Sequence, residues 1–201
     1  MIITVATAND GKIREIEKIF QASSSVRVIP MSVVRKLNIP EENGMTFAEN
    51  AVIKARAAAE IFSTHIIADD SGLVVDALNG EPGIYSARYM NLKTDAERNS
   101  ALIEKMKNIP DDKRTARFVC AIAHLSSEGV LSVFEGSCEG MIAKSPSGSG
   151  GFGYDPVFYL PEYNKTMAEI SSELKNSISH RARALRLFAE SYNKTYGELS
   201  V

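Results

Sequence analysis

Residues 65–72 read HIIADDSG, and the fold prediction depends on this apolar run with two adjacent aspartates at its end. Residues 65–68 form a short apolar run bounded by polar residues, which is typical of a buried strand. Asp69 and Asp70 follow it, and α/β folds place ligands at the carboxyl ends of strands. Because Asp-Ser-Gly also favours a turn, we expect the strand to end at Ala68, with a turn over 69–72 and a short strand over 73–75.

The rest of the first half alternates between strand and helix patterns. Residues 2–6 and 25–30 are strand-like, and Asp10 is the expected cap of a first helix. Two further helices are expected at 46–62 and 94–107, because each of these segments opens with a capping box.

The second half changes to strand patterns with short connections. Residues 116–125 and 130–134 are strand-like, a hairpin turn lies between them, and residues 139–143 add a further strand. A long Gly/Ser/Pro loop follows at 144–156, and a final helix carries apolar residues from Ile178 to Tyr192. We therefore predict an α/β fold in which residues 1–201 form one two-lobed domain. It has a mixed, elongated central sheet flanked by helices and a cleft between the lobes.

Composition excludes several classes of protein. Lys and Arg number 23 and Asp and Glu 25, so the net charge is −2. Dedicated nucleic-acid binders usually show a basic bias, so we expect no nucleic-acid partner. No run approaches the roughly 18 apolar residues that a membrane span needs, and the start lacks signal-peptide features. We expect no membrane partner and a cytoplasmic location, with Cys120 and Cys138 reduced and buried.

Residues 7–12, TANDGK, lie between the first strand and the first helix. Backbone N–H groups and the positive dipole end at a helix start favour an anion such as phosphate, and Lys12 adds a positive charge. The stretch is neither a Walker A loop nor the dinucleotide-binding glycine motif. An ordinary capped helix with a solvated lysine explains it equally well.

Carboxylates are available for a metal ion. Asp69 and Asp70 follow the buried strand, and Glu41 and Glu42 lie in an earlier polar segment. A few oxygen ligands, completed by waters and substrate phosphates, suit Mg²⁺. Neighbouring strand residues point to opposite faces, so only one aspartate is expected to bind metal if the strand persists. A plain turn is the alternative, and without other evidence it is the favoured one.

The loop at residues 148–156 reads GSGGFGYDP. Its glycines let the backbone approach a ligand closely, and Phe152 and Tyr154 can stack on a planar base. Asp155 can accept a hydrogen bond from a base or order the loop. The alternative is a mobile loop whose aromatic rings cover the edge of the core.

Three cationic or titratable side chains, Lys175, His180 and Arg181, flank the start of the last helix. Positive charges there oppose the helix dipole, and a polyanionic ligand would compensate for this. Surface charge is the alternative. Together with the phosphate loop, the carboxylates and the aromatic loop, these residues fit a nucleoside triphosphate bound with Mg²⁺.

Five blocks of sequence, at residues 7–12, 46–54, 68–89, 150–156 and 175–181, occur in one order and span nearly the whole chain. Together they resemble the non-canonical purine nucleoside triphosphate pyrophosphatases, the inosine/xanthosine triphosphate pyrophosphatase family. The family usually has an acidic pair followed by Thr-Gly where this chain has Glu41-Glu42-Asn43-Gly44. Glu41 and Glu42 therefore both remain candidates for the second metal ligand.

The resemblance implies that residues 1–201 are one pyrophosphatase domain. It would hydrolyse ITP, dITP and XTP to the monophosphate and pyrophosphate, with Mg²⁺ and as a homodimer. It further implies that Asp70 is the base that activates water and binds the metal with Glu41. The implied substrate-binding residues are Thr7, Ala8, Asn9, Asp10, Gly11, Lys12, Lys54, Ser71, Phe152, Gly153, Tyr154, Asp155, Lys175, His180 and Arg181.

Three alternatives remain open at this point. One is a pyrophosphatase of the septum-inhibitor-like kind, which prefers other nucleotides and has different motifs. Another is a nucleotide-binding regulator without turnover, and the third is a structural module with a merely flexible glycine loop.

Overall fold

The computed structural model describes residues 2–7, 9–20, 42–197 and 199. The predicted strand at 25–30 and the predicted ligands Ala8 and Glu41 lie outside the described residues.

A mixed sheet of six strands runs through the described part of the chain, in the spatial order β1 to β6. The strands are β1 (Ile3–Ala6), β2 (His65–Val75), β3 (Thr115–Leu125), β4 (Leu131–Ile142), β5 (Phe158–Leu160) and β6 (Lys165–Thr166). β1 and β2 pair in parallel, with Ile3 opposite His65, whereas β4, β5 and β6 pair antiparallel. Helices flank this sheet, so the predicted α/β class is confirmed.

The α-helices among the described residues are α1 (Asp10–Ile19), α2 (Phe47–Ala59), α3 (Asp95–Lys105), α4 (Ser172–Ile178) and α5 (His180–Tyr196). Asn9, not Asp10, caps α1, because the Asn9 side chain accepts the N–H groups of Gly11 and Lys12 while Asp10 is already helical. The capping box of α3 is complete, with both bonds between Thr94 and Glu97 present. In α2, Thr46 accepts the N–H of Glu49, but the Glu49 carboxylate accepts from Met45.

The predicted turn at residues 69–72 is wrong, because β2 continues without a break from His65 to Val75. β2 lies between β1 and β3, so its backbone is hydrogen-bonded to neighbours on both sides. These ladder bonds outweigh the local turn preference of Asp-Ser-Gly. As a consequence, Asp69 and Asp70 are consecutive residues of an interior strand and point to opposite faces of the sheet.

Further differences concern the second half of the chain. The two strands expected at 130–134 and 139–143 are one strand, β4, and the short strands β5 and β6 were not predicted. The final helix begins only at His180, since Ser179 has extended backbone and separates it from α4.

The chain divides into two compact units, which agrees with the predicted two lobes; the cleft stays a prediction. One unit is drawn from Met1–Asp70, Cys120–Gly136 and His180–Val201, and the other from Ser71–Val119 and Ser137–Ser179. In the first unit, apolar residues of β1, α1, β3 and α5 form one core, and alanines of α2 pack with β1 and β2 in another. In the second unit, residues of α3 pack with those of β4 and β5.

Both cysteines, Cys120 and Cys138, are free and buried, as expected. Within the residues that the structure describes, no helix has both the length and the apolar character needed to cross a membrane.

Gly136 allows the start of α5 to lie directly against β4. A Cβ at this position would lie 2.3 Å from the carbonyl oxygen of His180 and 2.6 Å from the backbone nitrogen of Ala184. Both atoms are backbone, so α5 would have to move as a whole.

We therefore expect Gly136→Ala to lower the free energy of unfolding by about 1–3 kcal/mol, measured by urea denaturation. Ser132→Ala, on the same strand, is the matched control and should change it by less than about 0.5 kcal/mol. An unchanged stability of Gly136→Ala would show that α5 does not pack on β4 as described.

Candidate functional site

The loop between β1 and α1 is folded around its own side chains. Asn9 Oδ1 accepts hydrogen bonds from the N–H groups of Gly11 (2.9 Å) and Lys12 (3.1 Å). Thr7 Oγ1 accepts from the Asn9 N–H at 3.3 Å. The predicted strand–loop–helix arrangement is therefore present, but two N–H donors expected to meet a phosphate are capped by Asn9. Lys12 adds an ammonium group at this helix start, and it is paired with Asp69.

Asp69 is the centre of a buried charged cluster in the first unit. Its carboxylate contacts Lys12 Nζ at 2.5 Å, Arg181 Nε at 3.1 Å and Cys120 Sγ at 3.2 Å. Arg181 also pairs with Glu15 and is only 1% exposed. These residues belong to α1, β2, β3 and α5, so the cluster ties four elements together.

The charges of this cluster set the pKa values of its members. Burial alone would raise the pKa of Asp69, but the charges of Lys12 and Arg181 outweigh it and hold that pKa well below its usual range. Burial and the neighbouring Asp69 raise the pKa of the Cys120 thiol. Asp69 is therefore ionised and neutralised by its cationic partners, while Cys120 donates to it as a thiol.

Asp70 faces a different set of partners. Lys54 Nζ, on α2, lies 2.7 Å from Asp70 Oδ1 and 3.0 Å from Glu42 Oε1. Burial raises the pKa of Asp70, and the charge of Lys54 offsets this only in part. Burial acts to lower the pKa of Lys54, but the combined charge of Asp70, Asp69 and Glu42 raises it.

The two adjacent aspartates thus have opposite electrostatic environments. Asp69 has a lowered pKa and Asp70 a raised one. Pairs of titratable groups whose pKa values are pushed apart mark a division of roles, and the group with the raised pKa is the stronger base. Of the two carboxylates, Asp70 therefore has the environment of the stronger base, whereas Asp69 is held by Lys12 and Arg181.

A cation position exists next to Asp70. The carboxylates of Glu42 and Asp70 converge on one ammonium group, that of Lys54. Mg²⁺ is commonly bound by one or two carboxylates, with waters and substrate phosphates completing its shell, so these donors fit it. In the ranges that the structure describes, no group of three or more His, Cys, Asp or Glu side chains is close enough to hold a metal.

In the second unit, Asp155 orders the aromatic loop. Its Oδ2 accepts from the backbone N–H of Phe152 at 2.8 Å and contacts Lys175 Nζ at 2.5 Å. Lys175 Nζ lies 4.9 Å from the centre of the Phe152 ring, within cation–π distance. Gly151 is required here, since a Cβ on it would lie 1.9 Å from Asp155 Oδ2.

Gly153 and Tyr154, the next two residues of the loop, form hydrogen bonds with residues outside it. Gly153 donates its N–H to Asp95 Oδ2 at 2.8 Å and accepts at its carbonyl from Asn99 Nδ2 at 3.1 Å. The Tyr154 hydroxyl donates to the carbonyl of Ser86 at 3.0 Å. Sequence reasoning did not find Asp95, Asn99 or Ser86. Nothing in the local sequence marks Asp95 or Asn99, and Ser86 lies in the block at 68–89 without a role that the sequence assigns. The contacts of all three with the loop are distant along the chain.

The three residues predicted as one cationic group have different surroundings. Lys175, on α4, contacts the aromatic loop of the second unit. Arg181, on α5, lies in the Asp69 cluster of the first unit, and His180 before it is 5% exposed. Ser71 follows Asp70 in β2 and is half-buried.

Comparison with known proteins agrees with the resemblance to the inosine/xanthosine triphosphate pyrophosphatase family. The model of the Ham1 family matches residues 3–191. The dITP/XTP pyrophosphatase of Geobacillus kaustophilus is 49% identical over 198 residues, which cover 97% of this chain and 96% of that one. The dITP/XTP pyrophosphatase of Listeria monocytogenes serotype 4b is 48% identical over 185 residues, which cover 92% and 91%.

A solved structure gives the same result. The Staphylococcus aureus Ham1 protein matches with a TM-score of 0.83 at 42% identity, covering 96% of this chain and 98% of that one. Sequence and fold therefore agree over almost the whole length, and the chain belongs to the Ham1 family.

Proposed function

We propose that this chain is a single-domain enzyme that hydrolyses the non-canonical purine nucleoside triphosphates ITP, dITP and XTP to the monophosphate and pyrophosphate. The observation that carries this is the match over almost the whole chain to the Ham1 family, together with the contacts that pair Asp69 with Lys12 and Arg181 and bring Lys54 to Asp70 and Glu42. The names of the Geobacillus and Listeria relatives support the same reaction. The homodimer implied by the resemblance stays a prediction.

The proposed chemistry assigns the triphosphate to the residues around Asp70. Asp70 would accept the proton of the water that attacks the phosphate chain between the monophosphate and pyrophosphate parts. Lys12 and Lys54 are mostly buried, with 12% and 11% of their side chains exposed, and each already faces a carboxylate. Such positioned ammonium groups stabilise the charge that develops in phosphoryl transfer, which depends on positioning more than on covalent chemistry.

Mg²⁺ is part of the proposal. Asp70, with Glu42 or Glu41, would hold the ion. When bound, it would neutralise phosphate charge and lower the pKa of a bound water. Glu42 gains support from its contact with Lys54 at 3.0 Å, whereas Glu41 lies outside the described residues.

The loop that contains Phe152 would bind the base. Phe152 would stack on the purine, and Lys175 beside its ring would face the purine edge and not the phosphates. An ammonium that donates to the 6-keto group of hypoxanthine or xanthine would meet the amino group of adenine with an unpaired donor, which disfavours ATP.

The direct test measures pyrophosphate release with Mg²⁺ across ITP, XTP, dITP, ATP, GTP, CTP and UTP. We expect a strong preference for ITP, dITP and XTP, with the monophosphate as the second product. Activity should vanish in EDTA and return with Mg²⁺. Nucleotide binding without turnover would contradict the proposal and favour a regulator, and turnover that survives chelation would contradict the metal role.

The two aspartates should respond differently to removal of their charge. Asp70→Asn should lower kcat by about 10²–10⁴-fold with a stable fold, because it removes a general base. Asp69→Asn should lower the free energy of unfolding by about 3–5 kcal/mol, because it leaves Arg181 and Lys12 without their shared counter-charge. Steady-state kinetics and urea denaturation of both variants separate the roles. A near-normal kcat for Asp70→Asn would rule it out as the base.

A further inference from the structure

We infer that Asp95 and Asn99 are positioning residues that hold the base-binding loop through the two backbone groups of Gly153. This rests on the proposed role of Phe152 in stacking on the base. All residues involved belong to the second unit.

The two side chains contact opposite ends of one residue. Asp95 Oδ2 accepts the Gly153 N–H at 2.8 Å, and Asn99 Nδ2 donates to the Gly153 carbonyl at 3.1 Å. Asp95 and Asn99 are four residues apart on α3, so they lie on the same face of the helix. The pair satisfies both polar groups of the loop backbone directly after Phe152.

α3 is a rigid support for this contact. Its capping box between Thr94 and Glu97 fixes the first turn, where Asp95 is the first helical residue. Arg98 pairs with the second oxygen of Asp95 and donates to the Leu92 carbonyl at 2.8 Å. The Asp95 carboxylate is therefore oriented from its own helix as well as by Gly153.

Burial of the Asn99 side chain is unfavourable for stability, and its hydrogen bond to Gly153 explains why an amide occupies this position. The side chain is buried, with 4% of the residue exposed, and its Oδ1 has no hydrogen-bond partner among the described residues. A buried, unsatisfied acceptor destabilises a protein, and an apolar side chain of the same size would avoid it. An apolar side chain could not donate a hydrogen bond to the Gly153 carbonyl, whereas the amide N–H₂ group of Asn99 does. Asn99 therefore stabilises the loop and not the core.

Gly153 has a positive φ of 62°, a conformation that glycine adopts without strain and that needs outside contacts to persist as one state. Asp155 fixes the N–H of Phe152 from one side of the loop, and the α3 pair fixes Gly153 from the other. The backbone on both sides of the Phe152 ring is thereby anchored, so the ring is held ready for a base before the base arrives. Such preorganisation increases affinity by lowering the ordering cost of binding.

The test compares Asn99→Leu with a matched control on the same helix. Asn99→Leu should raise KM for dITP about five- to tenfold, the loss of one hydrogen bond, with kcat within about twofold and unchanged thermal stability. Glu104→Gly weakens α3 at an exposed position that lies away from Gly153 and from the capping box and pairs with Lys107, so it should lower Tm and leave KM unchanged. An equal rise in KM for both variants would show that KM depends on the stability of α3 and not on the hydrogen bond to Gly153, and would overturn the inference.

Asp95 allows a rescue experiment. Asp95→Ala should raise KM for dITP, whereas Asp95→Asn retains an oxygen that accepts the Gly153 N–H and should stay within about twofold of the parent. Inhibition by inorganic tripolyphosphate, which has no base, should be the same for all these variants. A parallel weakening of tripolyphosphate inhibition would show that the two residues do not act through the base.

A fluorescence measurement that does not require hydrolysis tests the positioning role independently of the proposed activity. The chain contains no tryptophan, so Phe152→Trp introduces a single tryptophan into the loop, and its fluorescence can be excited selectively over that of the tyrosines. In that background, Asn99→Leu should raise acrylamide quenching and lower fluorescence anisotropy, whereas Glu104→Gly should not. Unchanged quenching and anisotropy with Asn99→Leu would overturn the positioning role, even if the enzyme hydrolyses dITP as proposed.

Discussion

The alternation of side chains along β2 is the constraint on which the site depends. A strand places consecutive residues on opposite faces, so two neighbouring carboxylates cannot share one environment. Asp69 meets Lys12 and Arg181, and Asp70 meets Lys54. One backbone element thus produces a neutralised anchor and a basic carboxylate at adjacent positions.

The Asp69 cluster has consequences for stability as well as for position. The pKa of Asp69 in the folded state lies below its value in the unfolded chain. The stabilisation that ionised Asp69 contributes is therefore complete above pH about 4 and is lost as pH falls through the folded-state pKa. Asp70 has the opposite sign, since a raised folded-state pKa means that its ionisation opposes folding. The protein therefore retains a destabilising charge at Asp70 beside a stabilising one at Asp69, which is common where a carboxylate has a chemical role.

The sequence was sufficient where local patterns decide structure. The strand and helix around residues 7–12, the capping box of α3 and the ordering of the Phe152 loop by Asp155 all follow from short-range signals. Prediction failed where partners distant along the chain decide. The continuity of β2 depends on β1 and β3, and the environment of Arg181 depends on Glu15, which is 166 residues away in sequence. Asp95 and Asn99 could not be found, because only the fold brings α3 to Gly153.

Direct titration of the two carboxyl groups is the most decisive measurement. In the ligand-free protein with ¹³C-labelled aspartate, the Asp69 and Asp70 signals can be assigned by their loss in Asp69→Asn and Asp70→Asn. We expect Asp70 to titrate above the usual aspartate pKa of about 3.9 and Asp69 to remain ionised far below it. Ordinary pKa values for both groups, or the reverse order, would contradict the division of roles between the two residues.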